Sequence, residues 1–127
     1  MLEKIPTAQL ENILDHLPVE MSFINADDEV AYFSKGDKRI LKRTPAVIGM
    51  KVQKCHPAQS VDKVQQILDD FKAKKRDSAE FWINLHGRLV YIRYFAVRDK
   101  ENAYQGTLEV SQDITGIRAI EGEKRLL

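Results

Sequence analysis

Leu10, Ile13, Leu14 and Leu17 recur at the spacing of one helical face and predict an amphipathic helix within residues 1–17. Thr7 offers a hydroxyl cap at its start and Pro18 stops it. Two short apolar runs, at 21–24 and 30–33, flank Asn25-Ala26-Asp27-Asp28, whose side chains suit a turn. They read as a β-hairpin. Residues 34–57 carry Gly36, Pro45, Gly49 and Pro57 and are expected to be irregular, with short helical turns at most. Ser60 then sits where an N-cap belongs, and Val61, Val64, Leu68 and Phe71 line one face, with Ile67 beside them. Lys72, Lys74, Lys75 and Arg76 close this second helix as cations at the negative end of its dipole.

From Ala79 onward the texture changes to strands rich in aromatic and β-branched residues: EFWINL, RLVYIRYFAV and TLEVSQ. His86-Gly87 connects the first two tightly, and residues 100–103 connect the second and third more loosely. The middle strand is apolar on both faces except at Arg93, so both of its faces are expected to be covered. Its uncharged face, Val90, Ile92, Tyr94 and Ala96, is assigned to the interior, with Phe81, Ile83 and Leu85 on the neighbouring strand. In the last strand Leu108 and Val110 alternate with Glu109 and Ser111. The apolar pair is assigned inward, which carries Gln112 to the same interior, so that Leu85, Ile92 and Val110 would converge. Thr115 to Leu127, with Ile117, Ile120 and Leu126, predicts a second amphipathic helix. The fold class is therefore α+β, an antiparallel sheet with a flanking helix at each end. Residues 1–17 form the N-terminal helix, 18–115 the core and 116–127 the C-terminal helix.

The 127 residues, 43% hydrophobic and 31% charged, suffice for one domain with its own core. The 20 Lys and Arg nearly cancel the 19 Asp and Glu, leaving a net charge of +1, which argues against nucleic acid or an anionic membrane as partner. The single cysteine, Cys55, excludes an internal disulfide framework and multi-cysteine zinc or iron–sulfur sites. With no signal peptide and no apolar run near the ~18 residues of a membrane span, a cytoplasmic location is expected.

Three signals make the chain similar to a PAS domain: Val47-Ile48-Gly49 followed by Cys55-His56-Pro57, the strand triplet after the long helix, and Asp113-Ile114-Thr115 at the end of the last strand. The resemblance implies a PAS fold, a five-stranded antiparallel sheet with its helices on one face and a small cavity enclosed between them. The blocks LPVEMSFINADDEVAYFS, RTPAVIGMKVQKCHP, AEFWINLHGRLVYIRYFAVRD, GTLEVSQDIT and EGEKRLL resemble one PAS subfamily. It occurs at the carboxy-terminal end of bacterial proteins that also carry a domain of unknown function and a haemerythrin-like domain. That resemblance implies a fragment whose partner domains lie upstream. It also implies a sensory or regulatory role rather than catalysis.

His56 is the most interesting single residue. It is either an axial ligand for haem, which needs one imidazole pointing into the cavity, or a loop imidazole that caps the connection to the long helix. Phe71, Ile92, Tyr94 and Gln112 complete the expected small-ligand site, Tyr94 and Gln112 orienting a molecule by hydrogen bonds in an otherwise apolar pocket. The alternative is that these side chains simply fill space and the domain is a ligand-free interaction module. Cys55 reads as a small core residue more than a nucleophile, because adjacent residues rarely meet as nucleophile and base. His16 and His86 are expected to face water, and no metal cluster is expected. Asp27, Asp28 and Glu29 read as turn residues, and no phosphate-binding or hydrolase motif is present. Trp82, Tyr91, Arg93 and Phe95 form an outer face with much apolar area. The first helix is expected to cover it or to reach a second copy, which predicts a homodimer, with Arg93 paired to an acid there.

Overall fold

A computed structural model describes residues 1–126. Five strands, β1 (Glu20–Asn25), β2 (Val30–Phe33), β3 (Ser78–Leu85), β4 (Arg88–Arg98) and β5 (Tyr104–Asp113), form one sheet in the order β2-β1-β5-β4-β3. Every neighbouring pair is antiparallel. The first hairpin turns because Asn25 Oδ1 accepts the backbone N–H of Asp27 and of Glu29, each at 3.0 Å, while Asp28 takes a positive φ of 64°. The turn between β3 and β4 places both His86 and Gly87 at positive φ, the geometry a two-residue hairpin needs to match strand twist.

Residues 34–57 contain short 3-10 turns, Gly36–Lys38, Pro45–Val47 and Val52–Cys55, and one isolated bridge from Lys51 to Glu29. The long helix α2 (Ala58–Lys72) begins earlier than its Ser60 suggests. Pro57 occupies the cap position with an extended backbone, and Ser60 Oγ instead donates to the Pro57 carbonyl at 3.2 Å. Val64, Ile67, Leu68 and Phe71 of α2 are buried against one face of the sheet, Val64 and Leu68 with Ile24, Val30 and Val52, Ile67 and Phe71 with Val90, Ile92 and Tyr94. The basic end of α2 is structural. Arg76 pairs with Asp70 at 3.1 Å, Lys72 reaches Asp28 at 2.8 Å, and Arg98 Nη2 donates to the Phe71 carbonyl at 2.9 Å.

The first helix, α1 (Thr7–Asp15), starts with Thr7 inside it and Pro6 at the cap, and no side chain caps it. It buries no residue fully: Leu10 and Leu14 are half-buried and Ile13 is exposed, as is Leu17 just beyond its end. Asp15 fastens it to the core by accepting the Lys35 N–H at 2.9 Å, and Lys35 Nζ donates to the Asp15 carbonyl at 3.0 Å. Asp15 and Glu11 also face Tyr32, whose phenol pKa is raised by burial first and by these carboxylates second. Tyr32 pairs across the ladder with Phe23 on the side of the sheet away from α2, so α1 lies at the β1–β2 end of that outer face.

The expected C-terminal helix over 116–127 does not form. Ile117–Ala119 makes one 3-10 turn, residues 120–126 are irregular, and Leu127 lies outside the described residues. A helix this short gains little from its own hydrogen bonds and needs a face to bury. Ile120 is 72% exposed, so this segment has none, and Gly122 at positive φ breaks the helical path.

Candidate functional site: a polar strip on the inner face

Directly opposed residues of antiparallel strands share a face, so the registers decide what points toward α2. Tyr94 opposes Glu109, Ile92 opposes Ser111 and Ala96 opposes Thr107. Across the next ladder Glu20 opposes Ser111, Ser22 opposes Glu109 and Ile24 opposes Thr107. The inner face is therefore Val90, Ile92, Tyr94 and Ala96 of β4, as expected, but Thr107, Glu109 and Ser111 of β5. Leu108, Val110 and Gln112 oppose Phe95, Arg93 and Tyr91 and lie on the outer face. The sequence assignment of β5 is thus inverted, and Gln112 leaves the expected pocket. Leu85 and Ile92 do share a face, without Val110. Phe81 and Ile83 also point inward but stay 37% and 38% exposed on β3, the edge strand of the sheet.

The reason for the inversion is a pair of arginines from the irregular segment. Arg39 is buried and its Nη2 lies 3.4 Å from Glu20 Oε2; its other nitrogens donate to the carbonyls of Leu41, Met21 and Ser34. Glu20 in turn accepts the backbone N–H of Ile40 at 2.6 Å and of Leu41 at 2.9 Å. Arg43 Nη2 meets Glu109 Oε2 at 3.2 Å. Two carboxylates and two serines thus form a polar square on β1 and β5, and the loop supplies two cations to neutralise it. A charge is tolerated in such a place only when paired and hydrogen-bonded.

Next to this square lies a hollow of about 10 Å³ lined by Ile24, Val52, Val64 and Leu68 on its apolar side and by His56, Tyr94, Thr107 and Glu109 on its polar side. His56 Nε2 is buried there without a hydrogen-bond partner. Burial holds the imidazole pKa below its ordinary value, with Glu109 opposing and Arg43 reinforcing that shift, so at neutral pH the ring is uncharged. Burial, and then Glu109, raise the Tyr94 phenol, which stays protonated. Tyr94 also meets the Phe81 ring edge-on, centroids 5.4 Å apart. Of the expected site residues, His56 and Tyr94 line this hollow directly. Ile92 and Phe71 belong to the adjoining apolar cluster, and Gln112 is on the other side of the sheet.

Glu109, Thr107 and Arg43 are the site residues that the sequence reading missed. One signal was available: Glu-x-Ser occurs in both β1 (Glu20, Ser22) and β5 (Glu109, Ser111), matched by two arginines in the intervening loop. Cys55 is half-buried against the core, and its Sγ approaches the Lys51 carbonyl at 3.7 Å while His56 Nε2 has no partner, so the two do not form a nucleophile–base pair. His16 and His86 are exposed. Arg93 stacks on Tyr91 and Phe95, 4.8 and 5.8 Å from their centroids, rather than pairing with an acid. Among the described residues no three His, Cys, Asp or Glu gather as metal ligands, and no helix is long and apolar enough to cross a membrane.

Residues 10–115 match the family model of the PAS domain. The chain belongs to the PAS domain family. This PAS domain is similar to the crystallised C-terminal domain of a Streptococcus mutans protein, at 34% identity over 92% of this chain and 91% of that one, with a TM-score of 0.84. It shares its fold with a sensory box sensor histidine kinase from Vibrio cholerae (12% identity, 85% and 90% covered, TM-score 0.60). It shares it also with VqmA in a structure bound to DPO (19% identity, 87% and 59% covered, TM-score 0.62). Among curated proteins none matches.

Haem, one of the ligands the resemblance suggests, does not fit the PAS domain as it stands. Organic ligands of that size need pockets of roughly 300–1,000 Å³. The space at His56 is about 10 Å³, room for about one water, and the Arg43–Glu109 pair borders it.

Proposed function

We propose that this PAS domain is a sensory or regulatory module that receives a small molecule at the hollow between His56, Tyr94 and Glu109. The observation that carries the reading is His56 Nε2, a buried polar atom without a partner, on a residue that lines the same hollow as Glu109, whose charge Arg43 neutralises. An orphaned buried nitrogen costs about 1–3 kcal/mol, a cost that a hydrogen-bonding guest removes. The roof, residues 51–56, is one 3-10 turn, and a roof of that kind opens locally at less cost than a sheet strand. VqmA, which shares this fold over 59% of its own chain, is a protein whose structure is bound to DPO. Binding would bias two arrangements of the roof, and β5 and α1 carry the bias to neighbouring domains. The subfamily resemblance adds a host protein with upstream domains, among them a haemerythrin-like one, and so an input related to oxygen, nitric oxide or iron. The domain acts as a homodimer and performs no catalysis.

A second reading, a ligand-free interaction module, is favoured by the small size of the hollow. Native mass spectrometry and a visible spectrum of the freshly purified protein separate the two. A retained molecule that is lost from His56→Ala supports sensing. An apo mass, a featureless spectrum and no thermal shift across a metabolite panel overturn it.

A further inference from the structure

We propose that the open edge of β3 is the homodimer contact, two copies pairing β3 to β3 antiparallel into one ten-stranded sheet; this rests on the homodimer reading above. Natural sheets blunt their edges with charge, proline, bulges or short strands. The β2 edge is blunted in that way, with four residues and an irregular register against β1. β3 is not. It runs for eight residues in unbroken register with β4, contains neither proline nor lysine, and leaves Trp82 62% exposed with Phe81 and Ile83 more than a third exposed. Its one charge, Glu80, is already held by the Tyr91 hydroxyl.

The backbone says which groups are free. The two-residue turn makes Leu85–Arg88 the closing hydrogen-bonded pair, so Ile83 and Phe81 bond to β4 as well. Glu80, Trp82 and Asn84 alternate with them and aim their N–H and C=O away from the sheet. A two-fold axis at Trp82 aligns these free groups with those of a second copy. It places Trp82 opposite Trp82, Glu80 opposite Asn84, Phe81 opposite Ile83 and Ala79 opposite Leu85. Every facing pair then shares a side of the sheet, about six backbone hydrogen bonds form, and no like charges meet. A register one pair further toward the N-terminus of β3 sets Glu80 beside Trp82, and the next sets Glu80 against Glu80. The axis at Trp82 is the complementary one.

Trp82→Pro tests this selectively. It removes an N–H that points outward, so the β3–β4 ladder keeps its bonds, and proline is tolerated at edges of this kind. Sedimentation of the native domain should show a concentration-dependent dimer, and Trp82→Pro should be monomeric with an unchanged far-UV spectrum. In a Cys55→Ser background, Trp82→Cys should oxidise to a covalent dimer, since hydrogen-bonded partners lie ~5.5 Å apart at Cα, within disulfide reach. Glu80→Cys should not self-link. A dimer that survives Trp82→Pro and fails to cross-link through Trp82→Cys overturns this contact while leaving the homodimer reading intact. A native domain that stays monomeric at all concentrations overturns both.

Discussion

Replacing Glu20 by methionine removes the carboxylate that neutralises Arg39. Both side chains are buried, at 3% and 1% exposure, so water can replace neither partner. Three favourable contacts are lost: the ion pair at 3.4 Å and the backbone donors of Ile40 and Leu41 at 2.6 and 2.9 Å. The guanidinium remains charged, although burial lowers its pKa, and stays within the protein. Breaking a buried pair from one side costs about 3–5 kcal/mol, against a total stability of about 5–15 kcal/mol for a domain of this size. With a urea slope of about 2 kcal/mol/M, the midpoint should fall by about 2 M. Hydrogen exchange should accelerate first at residues 36–41, the segment Glu20 anchors. The double variant Glu20→Met/Arg39→Met should be more stable than the sum of the two single variants predicts, because it leaves no buried charge behind. A midpoint within about 0.3 M of the native value would refute the reasoning, as would strict additivity in the double variant.

Two further outcomes follow from the same structure. His56 binds its proton less tightly when folded than when unfolded, so the unfolded state takes up more protons as pH drops below about 6.5. Stability should therefore rise with pH between the folded value and about 6.5 and level off above it; His56→Gln should flatten that rise in urea midpoints taken across the range, and an unchanged slope counts against a buried neutral imidazole. At Gly106, φ is +152° and an added Cβ would meet the Ile24 carbonyl oxygen at 2.2 Å and the Phe23 ring at 2.6 Å. Gly106→Ala should cost about 3 kcal/mol or more by thermal or urea unfolding, and a near-native midpoint would show that β1 and β5 separate more easily than their register implies.

Much of the domain is legible in the sequence. The helical stripe of α2, the Asn25–Asp28 turn, the His86-Gly87 hairpin and the inward, uncharged face of β4 are all local patterns, set by side-chain periodicity and by the φ values that turns require. The site was only half legible. His56 and Tyr94 were found because one precedes α2 and the other lies on the uncharged face of β4. Glu109 was assigned to solvent by a rule that places apolar side chains inward. The rule fails at a strand covered on both sides, where either face can be the polar one. Leu108 and Val110 pack with Phe95 and Arg93 on the outer layer, and Glu109 is tolerated inside because Arg43 reaches it from 66 residues away.

The C-terminal segment shows the same division. Its alternation of Ile117 and Ile120 with charges suits a helix, but an apolar stripe folds only where a surface receives it, and none does. By itself the sequence determined the order and approximate bounds of the five strands and of α1 and α2, and which residues share a face of each. Which face of β5 turns inward, which carboxylate meets which arginine, and which sheet edge stays open were decided by tertiary structure alone. Those outcomes depend on pairings between distant segments, and neither charge nor hydrophobicity encodes a partner until the register brings the two together.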